Sequence, residues 1–105
     1  MSKRDKQFEQ LKALANAKRL QIVEWILDPE RYFEPQVDGD LVTDGVCIGR
    51  IVDKIDLSQP TVTSHMKVLE AAGLVSSKKI KNWVFYKPKR DVIKIMLSTL
   101  QKRLS

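Results

Sequence analysis

The chain has 105 residues and carries 19 Lys/Arg against 13 Asp/Glu, a net charge of +6. That length allows one domain with a modest core, and hydrophobic residues at 43% exclude a disordered chain. No apolar run approaches the roughly 20 residues of a membrane span and no signal pattern opens the sequence, so a cytoplasmic protein is predicted; one cysteine excludes an internal disulfide and cannot alone build a zinc site.

The charge is unevenly spread. Residues 1–27 carry six Lys/Arg against three acids, residues 28–56 three against eight, and residues 57–105 ten against two. The basic excess follows residue 57, as a polyanion-binding face requires. In chain order, Phe8, Leu11, Leu14 and Ala15 share one face of a helix predicted from about Lys3 to Ala15. Asn16 suits the cap of a second helix reaching about Leu27, apolar on most sides through Leu20, Ile22, Val23, Trp25, Ile26 and Leu27. Asp28-Pro29 ends it. Lys18 and Arg19 lie in its first turn, where cations oppose the helix dipole. Two readings stay open there: contact with a DNA phosphate, or a salt bridge to an acid of the 28–56 segment.

Residues 28–45 form a long connection rich in acids, Pro and Gly. Leu41-Val42-Thr43 fits a short strand. Asp38, Asp40 and Asp44 lack the ligand positions and terminal Glu of an EF-hand loop, so the segment reads as solvated or as an acidic partner for the basic tail. Thr43 or Asp44 is a candidate cap for a helix through Ile55, with apolar positions Val46, Ile48, Ile51, Val52 and Ile55. Asp56-Leu57 is a short turn into the next helix.

That next helix, about 58–72, carries the functional expectation. Ser58 or Gln59 caps it, Pro60 sits in its first turn, and Gly73 suits its left-handed end. Val62, Met66, Leu69 and Ala72 form a buried stripe. The remaining polar side chains of its N-terminal half carry no negative charge, and Glu70 comes late. Such a helix can enter a major groove without repelling phosphate. Gln59, Thr61, Thr63, Ser64 and His65 are the candidate base readers, and Ser58 and Lys67 candidate phosphate contacts. Beside phosphate, the His65 pKa would rise.

Leu74 to Lys87 predicts a hairpin, with strand formers Trp83-Val84-Phe85-Tyr86 leading out. Its tip carries Lys78, Lys79, Lys81 and Asn82 with no acid close in sequence. These are candidate phosphate contacts, as are Lys18 and Arg19; the bland reading of the tip is a charged edge that discourages aggregation. A last helix from about Lys89 to Leu104 bears an apolar stripe of Val92, Ile93, Met96, Leu97, Leu100 and Leu104. A small monomer has little core left to cover it. Phe8, Leu11, Ile93, Met96, Leu97, Leu100 and Leu104 are therefore predicted to form a two-fold dimer interface, although half the stripe could pack within the chain.

The stretch Leu57-Ser58-Gln59-Pro60 through Gly73-Leu74-Val75 resembles the recognition helix of ArsR/SmtB-type winged helix-turn-helix repressors. Ala13-Leu14-Ala15-Asn16-Ala17-Lys18-Arg19-Leu20-Gln21-Ile22 resembles that family's second signature. With the basic wing, the resemblance covers nearly the whole chain. It implies a mainly α fold with a small β-hairpin wing, dimeric through the first and last helices. It also implies a sequence-specific DNA-binding transcription regulator, a homodimeric repressor with recognition helix about 58–72 in the major groove and wing about 76–85 on the backbone. Metal-sensing members place a Cys-Val-Cys-Asp cluster eleven residues before the Ser of Ser-Gln-Pro. Here that cluster reads Cys47-Ile48-Gly49-Arg50, with the second thiolate missing and a cation in place of the acid. The last helix has no His for the family's other metal site. No metal, no cofactor and no membrane partner is expected, and Cys47 reads as a packing residue, with a lone reactive thiol as the minority alternative. With no paired nucleophile and base, no phosphate loop and no metal cluster, an enzyme is not expected. The rival reading is a winged-helix protein-interaction module that does not read DNA sequence.

Overall fold

The computed structural model describes residues 2–104. Six helices and a three-stranded antiparallel sheet follow in the order α1 (Lys3–Leu14), α2 (Ala17–Leu27), α3 (Pro29–Tyr32), β1 (Val46–Cys47), α4 (Ile48–Ile55), α5 (Gln59–Ala71), β2 (Val75–Ile80), β3 (Trp83–Pro88) and α6 (Arg90–Leu104). The strand order is β1-β3-β2. β3 lies centrally, pairing Cys47 with Phe85 on one side and Lys78 with Phe85 on the other.

Side chains start most of the long helices. Ser2 caps α1; Asn16 Oδ1 accepts from the Lys18 and Arg19 backbone N–H groups at the head of α2; Ser58 Oγ accepts from Thr61 N–H at the head of α5. Of the two caps open in the sequence for α5, Ser58 holds the position, with Pro60 in the first turn. Ile22, Val23 and Ile26 of α2 pack with Ile51 and Ile55 of α4, Val62, Met66 and Leu69 of α5, and Leu74 and Val75 beyond it. This core fixes the back of α5 and leaves its other face to solvent.

Two expectations about the connection give way. Leu41–Thr43 is a turn rather than a strand, because Asp40 Oδ2 accepts from the backbone N–H groups of Val42 (3.0 Å) and Thr43 (2.8 Å). The third strand forms instead at Val46–Cys47, paired to β3. Consequently α4 starts at Ile48, not at Thr43 or Asp44, and Cys47 lies in the strand just before it. The short α3 was not anticipated. Pro29 occupies its first position, where a missing N–H has no consequence. Lys54 of α4 ties this corner together: its ammonium lies 5.2 Å from the centroid of Trp25 and 5.8 Å from those of Tyr32 and Phe33.

The segment after α3 is strapped to the sheet. Gln36 Oε1 accepts from Cys47 N–H at 2.7 Å, while its Nε2 donates to the Gly45 carbonyl at 3.1 Å. Arg50 donates to the carbonyls of Glu34 and Pro35. Gly45 has φ +106° and lies against the backbone of β3.

The last helix divides its stripe between two tasks. Ile93 (8% exposed) and Met96 (2%) are buried in the chain's own interior. As dimer-interface residues they are corrected: side chains already covered have little surface left to give a partner. Leu97 (53%), Leu100 and Leu104 (88%) stay exposed, as does Phe8 on α1, and Leu11 is half-buried. Ile95, which lies off the predicted stripe, is exposed as well.

Candidate nucleic-acid interface

The turn between α4 and α5 is tight because Asp56 adopts the left-handed conformation (φ 58°) and its N–H donates to the Val52 carbonyl. Three residues separate the two helices. Val62, Met66 and Leu69 anchor α5 from behind. Gln59, Thr61, Ser64 and Lys67 are exposed, and Thr63 and His65 are half-buried at its flanks. Ser58 is exposed too, but its Oγ lies 2.8 Å from Thr61 Oγ1, so these hydroxyls present themselves as a pair. Among these residues no carboxylate interrupts the face; Glu70, one turn later, accepts from Ser77 Oγ at 2.6 Å and so ties the base of the hairpin to the end of α5.

The hairpin turns through Lys81 and Asn82, with Lys81 at φ 56°. Lys78, Lys79, Lys81 and Asn82 are all exposed. No acid is close to them in sequence, but two are close in space. Lys78 Nζ sits 2.7 Å from Asp44 Oδ1, and Lys81 Nζ 2.9 Å from Asp38 Oδ1. Lys87 Nζ adds a bond to the Thr43 carbonyl at 3.1 Å. The partners come from 34 and 43 residues earlier, so local sequence gave no sign of them. Of the two readings of the acidic segment, the partner for basic residues is the one seen. Lys78 holds the Asp44 carboxyl below its ordinary range, with help from the Asp40 N–H, and the Thr43 and Val42 N–H groups do the same for Asp40. Both carboxylates are therefore charged at neutral pH.

A consequence for binding follows. A phosphate that takes Lys78 and Lys81 competes with Asp44 and Asp38 for the same ammonium groups. In D38N/D44N, DNA affinity at low salt should rise roughly three- to twentyfold, and the gain should shrink as salt screens the pairs. A titration in which the double variant binds more weakly than wild type would show that the strap matters for placing the hairpin, not for occupying its lysines.

Lys18 is exposed at the head of α2. Among the described ion pairs Arg19 makes no salt bridge to an acid of the 28–56 segment. Its Nε donates to the Ala13 carbonyl at 2.6 Å, and its Nη1 lies 3.2 Å from His65 Nδ1. This accounts for a cation in the first turn of a helix: the guanidinium folds back onto the C-terminal end of α1, where free carbonyls favour positive charge. Burial first, and the Arg19 charge second, place the His65 pKa below the ordinary 6.5 in the free protein.

Cys47 is half-buried in a groove of about 270 Å³ with Arg50, Trp83 and Phe85. Among the described residues no group of three or more His, Cys, Asp or Glu is placed to hold a metal ion, and no helix is long and apolar enough to cross a membrane.

Two helices joined by a tight turn, the second exposed and free of acids along its first half, followed in the chain by a basic two-stranded hairpin, define a winged helix-turn-helix transcriptional regulator. Residues 46–77 match the family described as bacterial regulatory protein, arsR family. The chain is 38% identical to the HTH-type transcriptional regulator YbzH of Bacillus subtilis, over 81% of this chain and 85% of that one. It is similar to the solved structure of HlyU from Vibrio cholerae (TM-score 0.68, 29% identity, 97% of this chain and 96% of that one). It also shares its fold with a homodimeric winged helix-turn-helix domain from Mycobacterium bovis (TM-score 0.64, 21% identity, 98% and 87% covered). The chain belongs to the arsR family of bacterial transcriptional regulators.

Proposed function

We propose that the chain is a homodimeric, sequence-specific DNA-binding repressor that works in the cytoplasm, occupying its operator with two copies of α5 in successive major grooves about one helical turn apart. The observation that carries this reading is the exposed, acid-free face Gln59, Thr61, Ser64 and Lys67 on a helix anchored by Val62, Met66 and Leu69. Gln59, Thr61, Thr63, Ser64 and His65 read base edges; Ser58, Lys67, Lys78, Lys79, Lys81, Asn82 and Lys18 hold phosphates. Phe8, Leu11, Leu97, Leu100 and Leu104 supply the two-fold contact, and the homodimeric M. bovis domain of the same fold supports it.

The test is selection of an operator from a random duplex pool, followed by gel-shift titration against salt. Neutralising about six to ten phosphates per dimer makes affinity fall on the order of 10³–10⁵-fold between 50 and 200 mM salt. No enriched sequence, with retention that competitor DNA leaves untouched, would favour the protein-docking reading instead.

A further inference from the structure

Arg19 and His65 are 46 residues apart in sequence yet share a hydrogen bond, and its chemistry is constrained from one side. A guanidinium has only N–H donors and stays charged at any relevant pH. The ring nitrogen that faces it must therefore offer a lone pair. His65 Nδ1 is that nitrogen, at 3.2 Å, so the ring proton resides on Nε2. The guanidinium is itself fixed at a second point, because Nε donates to the Ala13 carbonyl at 2.6 Å. Ala13 lies in the last turn of α1, where carbonyls lack helical partners. The backbone of Arg19 is held as well, its N–H capped by Asn16 Oδ1 at 3.1 Å. Both ends of this side chain are thus pinned, and it clamps one face of the imidazole.

The second ring nitrogen is not held in this way. Nε2 has no hydrogen-bond partner among the described residues, and the residue is only half-buried. It lies on α5 between exposed Ser64 and buried Met66, at the flank of the polar face. Arg19 is the charged group that faces the ring, and it opposes protonation.

We propose that Arg19 is a positioning residue for sequence reading: it locks His65 as the Nε2–H tautomer, so that α5 presents one neutral N–H donor to an acceptor edge in the major groove. Guanine fits best, since its groove edge shows two acceptors, N7 and O6, and no donor, whereas adenine sets an N–H donor beside its N7 and thymine a methyl group beside its single acceptor O4. An unlocked imidazole would present donor or acceptor in turn and distinguish bases less well. This inference rests on the DNA-reading function above.

The chain has one histidine, so nitrogen NMR reads the ring without assignment ambiguity. In the free wild-type protein a single Nε2–H tautomer is expected, with a titration midpoint below 6.5. Arg19→Met should give a tautomer mixture and move the midpoint up. On DNA, replacing guanine by 7-deazaguanine at one position per half-site should weaken wild-type binding about fivefold, the value of one hydrogen bond. Arg19→Met should show a smaller ratio between its affinities for the guanine and 7-deazaguanine duplexes, whereas a purely structural role, or the mere loss of one charge, would weaken both duplexes alike and leave that ratio unchanged. Should Arg19→Met not fold, the wild-type tautomer and 7-deazaguanine measurements decide alone. A wild type that binds its operator but ignores every 7-deazaguanine, or shows the Nδ1–H tautomer, overturns the inference only. A wild type that binds no DNA overturns the proposed function and this inference with it.

Discussion

Gly45→Ala is expected to lower the melting temperature by about 15 °C or more, with a large part of the chain unfolded at physiological temperature. A Cβ at position 45 would lie 2.4 Å from the Tyr86 carbonyl oxygen and 2.6 Å from its carbon. Neither atom belongs to a flexible side chain. Both are backbone of β3, the central strand, so relief requires moving the strand that holds β1 and β2 together. The φ of +106° adds its own strain for any residue with a Cβ. Gly73→Ala separates the two effects. Gly73 has φ +78° but no atom within 4 Å of the place its Cβ would take, so that variant should lose only about 1–2 kcal/mol. Equal melting shifts in the two variants would show that the approach to Tyr86 is unimportant.

Leu97→Glu/Leu100→Glu is expected to leave the helical signal intact and to abolish tight operator binding. Both side chains are exposed, so their loss opens no cavity in the chain's own core. At a two-fold seam, however, they would bring four carboxylates into one apolar patch. Losing the second recognition helix removes the linked binding event, which is worth on the order of 10²–10⁴ in affinity. Light scattering should report a monomer, and gel-shift titration a loss of that size. A variant that stays dimeric would move the subunit contact away from α6.

What the sequence disclosed, and what it hid, divides along the range of the interactions. The caps Asn16 and Ser58, Pro60 in the first turn of α5 and the 3.6-residue stripe Val62-Met66-Leu69 are local signals, and they place α2 and α5 to within a residue or two. The predicted β-hairpin was likewise legible from Trp83-Val84-Phe85-Tyr86. The 28–45 connection was not, since its form depends on β3. Val46 and Cys47 continue an apolar periodicity that suits a helix, yet pairing with Tyr86 and Phe85 makes them strand. The same holds at the site. Exposure of Gln59, Thr61 and Ser64 follows from helical spacing alone. The pairings of Lys78 with Asp44, Lys81 with Asp38 and Arg19 with His65 bridge 34 to 46 residues, and no window of sequence contains both partners. A charge excess of acids in 28–56 facing bases in 57–105 was the one available hint.

The side-chain amide of Gln36 bears on how the molecule meets other extended peptides. Along the outer side of β1, the Gly45 carbonyl and the Cys47 N–H point away from β3, and Gln36 satisfies both, one with each end of its amide. A glutamine thus stands where the main chain of a fourth strand would stand. With those two groups engaged, a foreign segment finds no vacant donor and acceptor from which to extend the sheet, and lateral fusion of two such molecules through β1 is closed off without any proline or bulge.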